Sequence, residues 1–454
     1  MHEKFIKAAA GTAAAMAMAV AGLGLAQTAR AAARTTVAVP CSAAALSLDL
    51  SGAASGETLK LAAACTYDLT AALPAITGNL TIQGNKATLA RSTTAGTPDF
   101  ALLTAGGPDD SGNTLTISSL NLTNGTPGLA VDSGTATVKG GTFSGNTTAI
   151  DTGLGTTLAV ASATFTDNTG NWGGAILASS HATVSNSTFS GNTAEQGGAM
   201  DALTGTQTIS HCHFNGNSAT AGGGALHNSA DTTVTGSTFT GNSAAGGGAI
   251  DNFDPSSATL TVTGSRFTSN SAQSAGGAIY NYDGATLTGD TFYKNSASQG
   301  GAFYNDWYAA TGSNLFSHNA AGSEGGAIYS DQSTTVSGAT FTADTASAEG
   351  GAIYVSPPFS GGTWGLGVTG SSIQGSRAGT DGGAIYNGSG SSRSVTLSST
   401  ALARNHPDNC APAGSVAGCT AGTGTARRTL SMWSVPSHHG GRIPRFERPL
   451  PASR

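Results

Sequence analysis

Charged residues are scarce in this 454-residue chain, where Asp, Glu, Lys and Arg together make up 10%. With a net charge of -6, the chain carries no broad basic surface of the kind that grips nucleic-acid phosphates. Lys, Glu, Gln and Leu are also few, which argues against a helical bundle. Beyond residue 25 no apolar run is long enough to cross a bilayer as a helix. Gly takes up much of the difference, with 66 residues, alongside Ala, Ser and Thr. Such a bias suits a disordered linker, but a linker has no reason to hold Val, Ile and Phe in register. Abundant Thr, Val and Gly point instead to short strands joined by tight turns.

The register comes from a unit of roughly 25 residues that recurs from Phe143 to Asn405. Phe239 to Asn252 reads FTGNSAAGGGAIDN, and Phe292 to Asn305 reads FYKNSASQGGAFYN. An aromatic column runs through Phe143, Phe165, Phe189, Phe214, Phe239, Phe267, Phe292, Phe316 and Phe341, then weakens to Ile373 and Leu402. Five residues earlier stands an aliphatic column, Val138 to Leu397, broken only by Thr311. Three residues after the aromatic comes Asn, from Asn146 to Asn319 and again at Asn405, with Asp344 and Ser376 as exceptions. Asn tolerates left-handed backbone and forms side-chain ladders, so this column reads as a corner. Glycine pairs from Gly173-Gly174 to Gly382-Gly383 mark a second corner. They lack the Lys-Ser/Thr pair and following helix of a phosphate-binding loop. Each unit is one rung that cannot bury its apolar face alone. The expected fold is all-β: a single-stranded right-handed parallel β-helix with three short strands per rung, extending from about Val37 to Thr420. Residues 37–142 would form its N-terminal cap and first rungs, and 143–420 the regular repeats.

The paired F-x-x-N and G-G-A-I signatures resemble the repeats of the polymorphic outer-membrane protein family and of exported β-helix proteins with a pectate-lyase-like fold. The resemblance covers Phe143 to Asn405 and implies an extracellular or cell-surface location, often with adhesion. Members of that family usually end in a membrane-anchoring β-barrel; the 34 residues after Thr420 are too few for one. Release, or non-covalent retention at the surface, is the expectation.

Both ends of the chain fit export. Lys4 and Lys7 precede the apolar stretch Ala8 to Leu25, and Ala29-Arg30-Ala31 is a small-x-small cleavage site. Residues 1–31 therefore read as a signal peptide, with an uncleaved membrane anchor as the alternative. Of five cysteines, Cys41 and Cys65 are expected to pair, and Cys410 with Cys419, pinning the two ends of the stack. Cys212 is left over and reads as a buried, inert thiol. Residues 421–454 change character, with six Arg, four Pro and one Glu. They read as a basic, disordered extension, or as one that touches an anionic envelope polymer.

Chemistry is sought in the residue that follows G-G-A-I. This column reads Leu177, Asp201, His227, Asp251, Tyr280, Tyr304, Tyr329, Tyr354 and Tyr386. If the preceding Ile points inward, the column points outward. Asp201, His227 and Asp251 then stand together on three rungs and are the best acid–base candidates, as for a polysaccharide lyase or glycoside hydrolase on this fold. The tyrosines would form an exposed ladder with Trp307 nearby, and Trp364 lies in a longer insertion. Such aromatics suit an extracellular polysaccharide or a surface protein; alternatively they cover and stiffen the sheet. Asp283, Asp306 and Asp331 are weak candidates for Ca²⁺, without the tight spacing of a calcium loop. No cofactor is otherwise called for. A secreted, non-enzymatic binding protein is the preferred reading, with the enzyme as the alternative.

Overall fold

The computed structural model describes residues 35–107, 112–253, 258–357, 365–389 and 394–420. The chain winds into a right-handed parallel β-helix with three long walls. The first has fifteen strands, from Thr36–Val39 to Val395–Ser398. The second has fourteen, from Thr66–Leu69 to Ala401–Ala403, and the third thirteen, from Leu103–Ala105 to Cys410–Ala411. A fourth, shorter wall was not expected. Its eight strands, from Thr193–Gln196 to Arg377–Ala378, lie between the second and third walls. One full rung thus runs Asp231–Thr235, Thr238–Thr240, Ser243–Gly246 and Ile250–Asn252. The extra wall arises where the stretch between Asn and the glycine pair is long enough to extend. In the earlier rung at Asn146 only Thr147 and Thr148 precede the Ala149-Ile150 pair, and that side has an isolated bridge between Thr147 and Thr169.

Pairing is parallel and places equivalent residues on one another. Phe143 pairs with Phe165, Phe165 with Phe189, and so on to Phe341 with Ile373. The phenylalanine rings stack at 4.7–4.9 Å between centroids, and each is fully buried. Burying one such side chain is worth about 2–3 kcal/mol, so this column is a principal source of stability. Val138, Val160, Val184, Ile209 and Val234 continue the core beside it. Thr311 sits buried in the same column, its hydroxyl unpaired. At the glycine corner, Gly247 has φ +56°, and a Cβ at Gly248 would collide with the carbonyl of Gly277. Only glycine suits both positions.

The ends are closed. A helix over Ala43–Gly52, capped by Ser42, buries Leu46 and Leu50 against the first rung and leaves Leu48 exposed. Disulfides join Cys41 to Cys65 and Cys410 to Cys419. Cys212 is buried in the column of Ser187 and Ser237, and burial pushes its thiol up to about 11. The signal-peptide reading, Trp364 and the tail 421–454 lie outside the described residues.

The Asn column is a buried ladder. Asn168 Nδ2 donates to Asn192 Oδ1 at 2.9 Å and to the carbonyl of Phe143 at 2.9 Å, while Asn192 Oδ1 also accepts the amide of Asn168. The pattern repeats to Asn319, whose Nδ2 donates to Phe292 and to Asp344. A second ladder, Asn228, Asn252, Asn281 and Asn305, lines the corner between the third and first walls. Asp344 breaks the first ladder: it accepts as Asn does, but has no Nδ2 with which to donate. Its Oδ2 is buried without a partner, and burial pushes its pKa from 3.8 to about 7. A protonated carboxyl supplies a hydroxyl where the ladder has an amide. Asp290 meets the same condition at another corner, also rising to about 7 by burial, with Asn314 as the next residue in its column.

The unfolded chain loses the Asp344 proton near 3.8 and the folded chain only near 7, so its contribution is complete below about 4 and is lost as pH rises to 7. Asp344→Asn should therefore leave stability nearly unchanged at pH 3.5. At pH 8 it should raise stability by up to the order of 4 kcal/mol, read by thermal or denaturant unfolding at both pH values. Equal effects at the two pH values would refute a proton-dependent ladder.

Candidate functional site

The residue after each G-G-A-I sits at the middle of a three-residue strand of the third wall. Met200–Ala202, Leu226–Asn228 and Ile250–Asn252 hold Asp201, His227 and Asp251, and Ile279–Asn281, Phe303–Asn305, Ile328–Ser330 and Ile353–Val355 hold the tyrosines. Register links Asp201 to His227, His227 to Asp251, and Asp251 to Tyr280. The ladder then continues through Tyr304, Tyr329, Tyr354 and Tyr386. The column is thus one continuous row pointing away from the core, because the preceding Ile, Leu, Met or Phe is buried inside.

It is less exposed than expected, with Asp251, Tyr280, Tyr304 and Tyr386 partly accessible and the others buried. Asp201 is 0% and His227 2% accessible, and Tyr329 and Tyr354 are 9% and 8%. The fourth wall accounts for this. Its strands end at the glycine corner, which folds them back beside the third wall, so the column fills the crease between the two. The α-carbon of Gly222, the last residue of its strand, lies against the Asp251 carboxylate, leaving no room for a side chain there.

The acid–base candidates do meet. His227 Nδ1 lies 2.9 Å from Asp201 Oδ1. Asp251, one rung beyond, is pushed up to about 6, first by burial and then by Asp201, with His227 opposing. Asp201 Oδ2 and Asp251 Oδ1 are buried without hydrogen-bond partners. Two carboxylates and an imidazole stacked on successive rungs can hold and exchange a proton. A polymer lying on the surface does not reach Asp201 or His227.

The tyrosines stack at 5.1 Å (Tyr280–Tyr304), 4.6 Å (Tyr304–Tyr329), 4.9 Å (Tyr329–Tyr354) and 5.6 Å (Tyr354–Tyr386). Burial, reinforced by Asp306 and Asp331, pushes the hydroxyls of Tyr280 and Tyr304 well above 10, so they stay protonated and can donate. Exposed aromatic surface lies instead at the adjoining corner between the third and first walls. Trp307 and Tyr308 are 49% and 50% accessible, and Phe253 and Tyr282 touch on the same corner at 4.9 Å. Asp283, Asp306 and Asp331 occupy this corner too. Ser356 Oγ donates to Asp331, and Asp306 is largely buried. Among the described residues, no three His, Cys, Asp or Glu side chains converge to hold a metal ion.

Reading the residue after the glycine pair missed the one before it. Gln299, Glu324, Glu349 and Asp381 form a row along the opposite lip of the crease, and the Tyr386 hydroxyl bonds to Glu349. The signal was present in the sequence as E-G-G, E-G-G and D-G-G on consecutive repeats.

The chain matches the right handed beta helix region family over residues 108–246 and 159–321. Residues 315–331 match the Chlamydia polymorphic membrane protein repeat, and they span one F-x-x-N and G-G-A-I pair. Both matches fit the resemblance carried by the repeats. No curated protein matches the chain. Among solved structures, tailspike protein 3 of bacteriophage CBA120 is similar at 14% identity and a TM-score of 0.34, over 81% of this chain and 58% of that one. The open reading frame 18 product of Geobacillus virus E2 is similar at 12% identity and a TM-score of 0.24, over 81% and 60%. The chain thus spans less than two thirds of the length of either.

A structural role for the Asp201–His227 pair makes a specific demand. Asp201→Ala removes a hydrogen-bond partner of a buried imidazole and should cost about 2–4 kcal/mol of stability. Asp201→Asn keeps an acceptor oxygen and should cost less than half of that. Denaturant unfolding of the two variants at pH 7 checks the order; two variants as stable as the parent would remove the structural role.

Proposed function

We propose that this right-handed β-helix repeat protein acts outside the cell as a rigid, non-enzymatic rod that binds a polysaccharide or a surface protein. The observation that carries the reading is the pair Trp307–Tyr308: two adjacent large aromatics, each about half exposed, set on a corner of otherwise regular rungs. Aromatic faces presented by a stiff scaffold suit sugar rings and protein contacts, because little ordering is required on binding. Two repeats are lengthened in the sequence, at Asp254-Pro-Ser-Ser and within Val355 to Gly367, each between a third-wall strand and a first-wall strand. Insertions to a solenoid gather beside its binding face, and Trp364 belongs to one of them. The disulfides and the polymorphic-membrane-protein repeat support an extracellular or cell-surface setting. Export through residues 1–31 is part of the proposal.

The stacked tyrosines take a different part in this reading. Tyr304 is held between Tyr280 and Tyr329, so it stiffens the crease beneath the exposed corner. The alternative, a polysaccharide lyase or glycoside hydrolase working through Asp201, His227 and Asp251, draws on the Asp201–His227 contact and requires the crease to open.

A glycan array probed with the chain from Ala32, followed by product analysis of each retained polysaccharide, tests both. Binding without cleavage is expected. Trp307→Ala and Tyr308→Ala together should weaken it at least about tenfold, with no change in melting temperature. Tyr304→Ala should lower the melting temperature as well. Cleavage products that vanish in Asp201→Asn would overturn the non-enzymatic reading. Unchanged binding by the Trp307/Tyr308 double variant would remove this corner from the site.

A further inference from the structure

Toward the C-terminal end of the rod the crease carries a column of carboxylates. Glu324, Glu349 and Asp381 hold the same position on successive rungs, shown by the amides of Gly300, Gly325 and Gly350 donating to their carbonyls in turn. Asp408 extends the row, its Oδ1 accepting the amide of Gly382. Equivalent positions on neighbouring rungs stand about 4.8 Å apart, and like charges so opposed repel. Gln299 Nε2 donates to Glu324 at 3.1 Å, and Tyr386 donates to Glu349. Among the described residues no Lys or Arg forms an ion pair with any of the four. Glu349 and Asp381 are both pushed up by burial, with further contributions from their acidic neighbours. On the other side of the tyrosines, Asp306 and Asp331 add to the same field.

The countercharge is found in the sequence. Residues 35–420 hold nine Lys and Arg against 23 Asp and Glu, whereas residues 421–454 hold six Arg and one Glu. That segment starts at the acidic end of the rod, where the Thr420 carbonyl accepts from Asn409, next to Asp408. We propose that Ala421–Arg454 docks along the tyrosine-floored crease of its own chain, setting its arginines against Glu324, Glu349, Asp381 and Asp408. Reach is not limiting. Four rungs separate Cys410 from Tyr304, about 20 Å, and 34 residues can span roughly 110 Å. Spacing also agrees. Arg442, Arg445 and Arg448 are three residues apart with Pro444 between them. An extended chain spaces such residues by about 9–10 Å, the height of two rungs. A guanidinium fork can bond a carboxylate and a tyrosine hydroxyl together, and a short tether raises the local concentration of the segment to the order of millimolar.

Trypsin digestion of the full chain tests this, with cleavage after Arg442 and Arg445 followed by mass spectrometry and normalised to a free peptide of residues 421–454. Docking predicts that at about 20 mM salt the tethered segment is cut at least tenfold more slowly than the free peptide, and that protection disappears at about 500 mM. The combined variant Glu324→Gln, Glu349→Gln and Asp381→Asn should abolish protection without lowering the melting temperature. Arg442→Gln with Arg445→Gln, which leaves the rod untouched, should expose the Arg427 and Arg428 sites to the same degree. Equal cleavage of tethered segment and peptide at low salt would overturn the proposal, as would protection that survives the triple variant. Protection that fades on dilution would assign the segment to a second copy, and would overturn docking within one chain.

Discussion

Parallel in-register pairing is the constraint on which this molecule rests. Winding at roughly 25 residues per rung sets each residue about 4.8 Å above its equivalent, so every choice of side chain is repeated against itself. Apolar and amide columns gain from this repetition. Phenylalanine stacked on phenylalanine excludes water from both faces of each ring, and each Asn oxygen accepts from the rung beneath while its nitrogen donates on. Charge is penalised by the same geometry, since a repeated Lys or Glu meets its own sign at every turn. The 10% charged content is therefore a consequence of the architecture as much as a clue to it. In the interior, an imidazole meets Asp201, and burial favours a proton on Asp290 and Asp344.

The fourth wall turns a regular solenoid into one with a feature on its side. Without it, the residues after G-G-A-I would point into solvent as an ordinary outer column. With it, Asp201 and His227 are enclosed, Asp251 is half-buried, and the tyrosines become the floor of a crease with acidic lips. The hydrogen-bond partners and raised pKa values in that row follow from this change of shape. Desolvation is the first cause of the shift at Asp251, and also at Tyr280, Tyr304, Tyr329 and Tyr354.

Much of the architecture was legible because its signal repeats. Phe143 to Leu402 and Val138 to Leu397 name the strands of the second and first walls, and the glycine pairs name the corner leading to the third. What could not be read was any feature that depends on how far a linking stretch extends. Ser243–Gly246 is made of small residues without an alternating pattern, so nothing in its composition separates a wall from a turn. The helix at Ala43–Gly52 hides for a related reason: Leu46, Leu48 and Leu50 alternate as a strand would, yet only Leu46 and Leu50 are buried, one helical turn apart. The candidate site was legible as a set of neighbours and misread in its exposure. Inward and outward along a strand decide which side of one sheet a residue takes; they do not say whether a second sheet covers that side.

Departures from the repeat therefore carry most of the information about function. A position occupied by Phe or Asn on nine rungs is satisfied by stacking alone. Asp344 in an Asn column has given up a donor, and Trp307 beside Tyr308 has left the small residues that suffice at most other rungs of that corner. Stability does not favour either choice. The Asp344 exchange makes part of the rod's stability a function of pH, through a group sealed in its interior. The Trp307–Tyr308 exchange leaves two large aromatics about half exposed, apolar surface that burial would have stabilised. A scaffold whose rungs are otherwise interchangeable can bear such costs locally, because each rung is supported mainly by its two neighbours. The geometry of the rod thus sorts its residues: identical rungs are accounted for by stacking alone, and the few unlike ones need a reason beyond it.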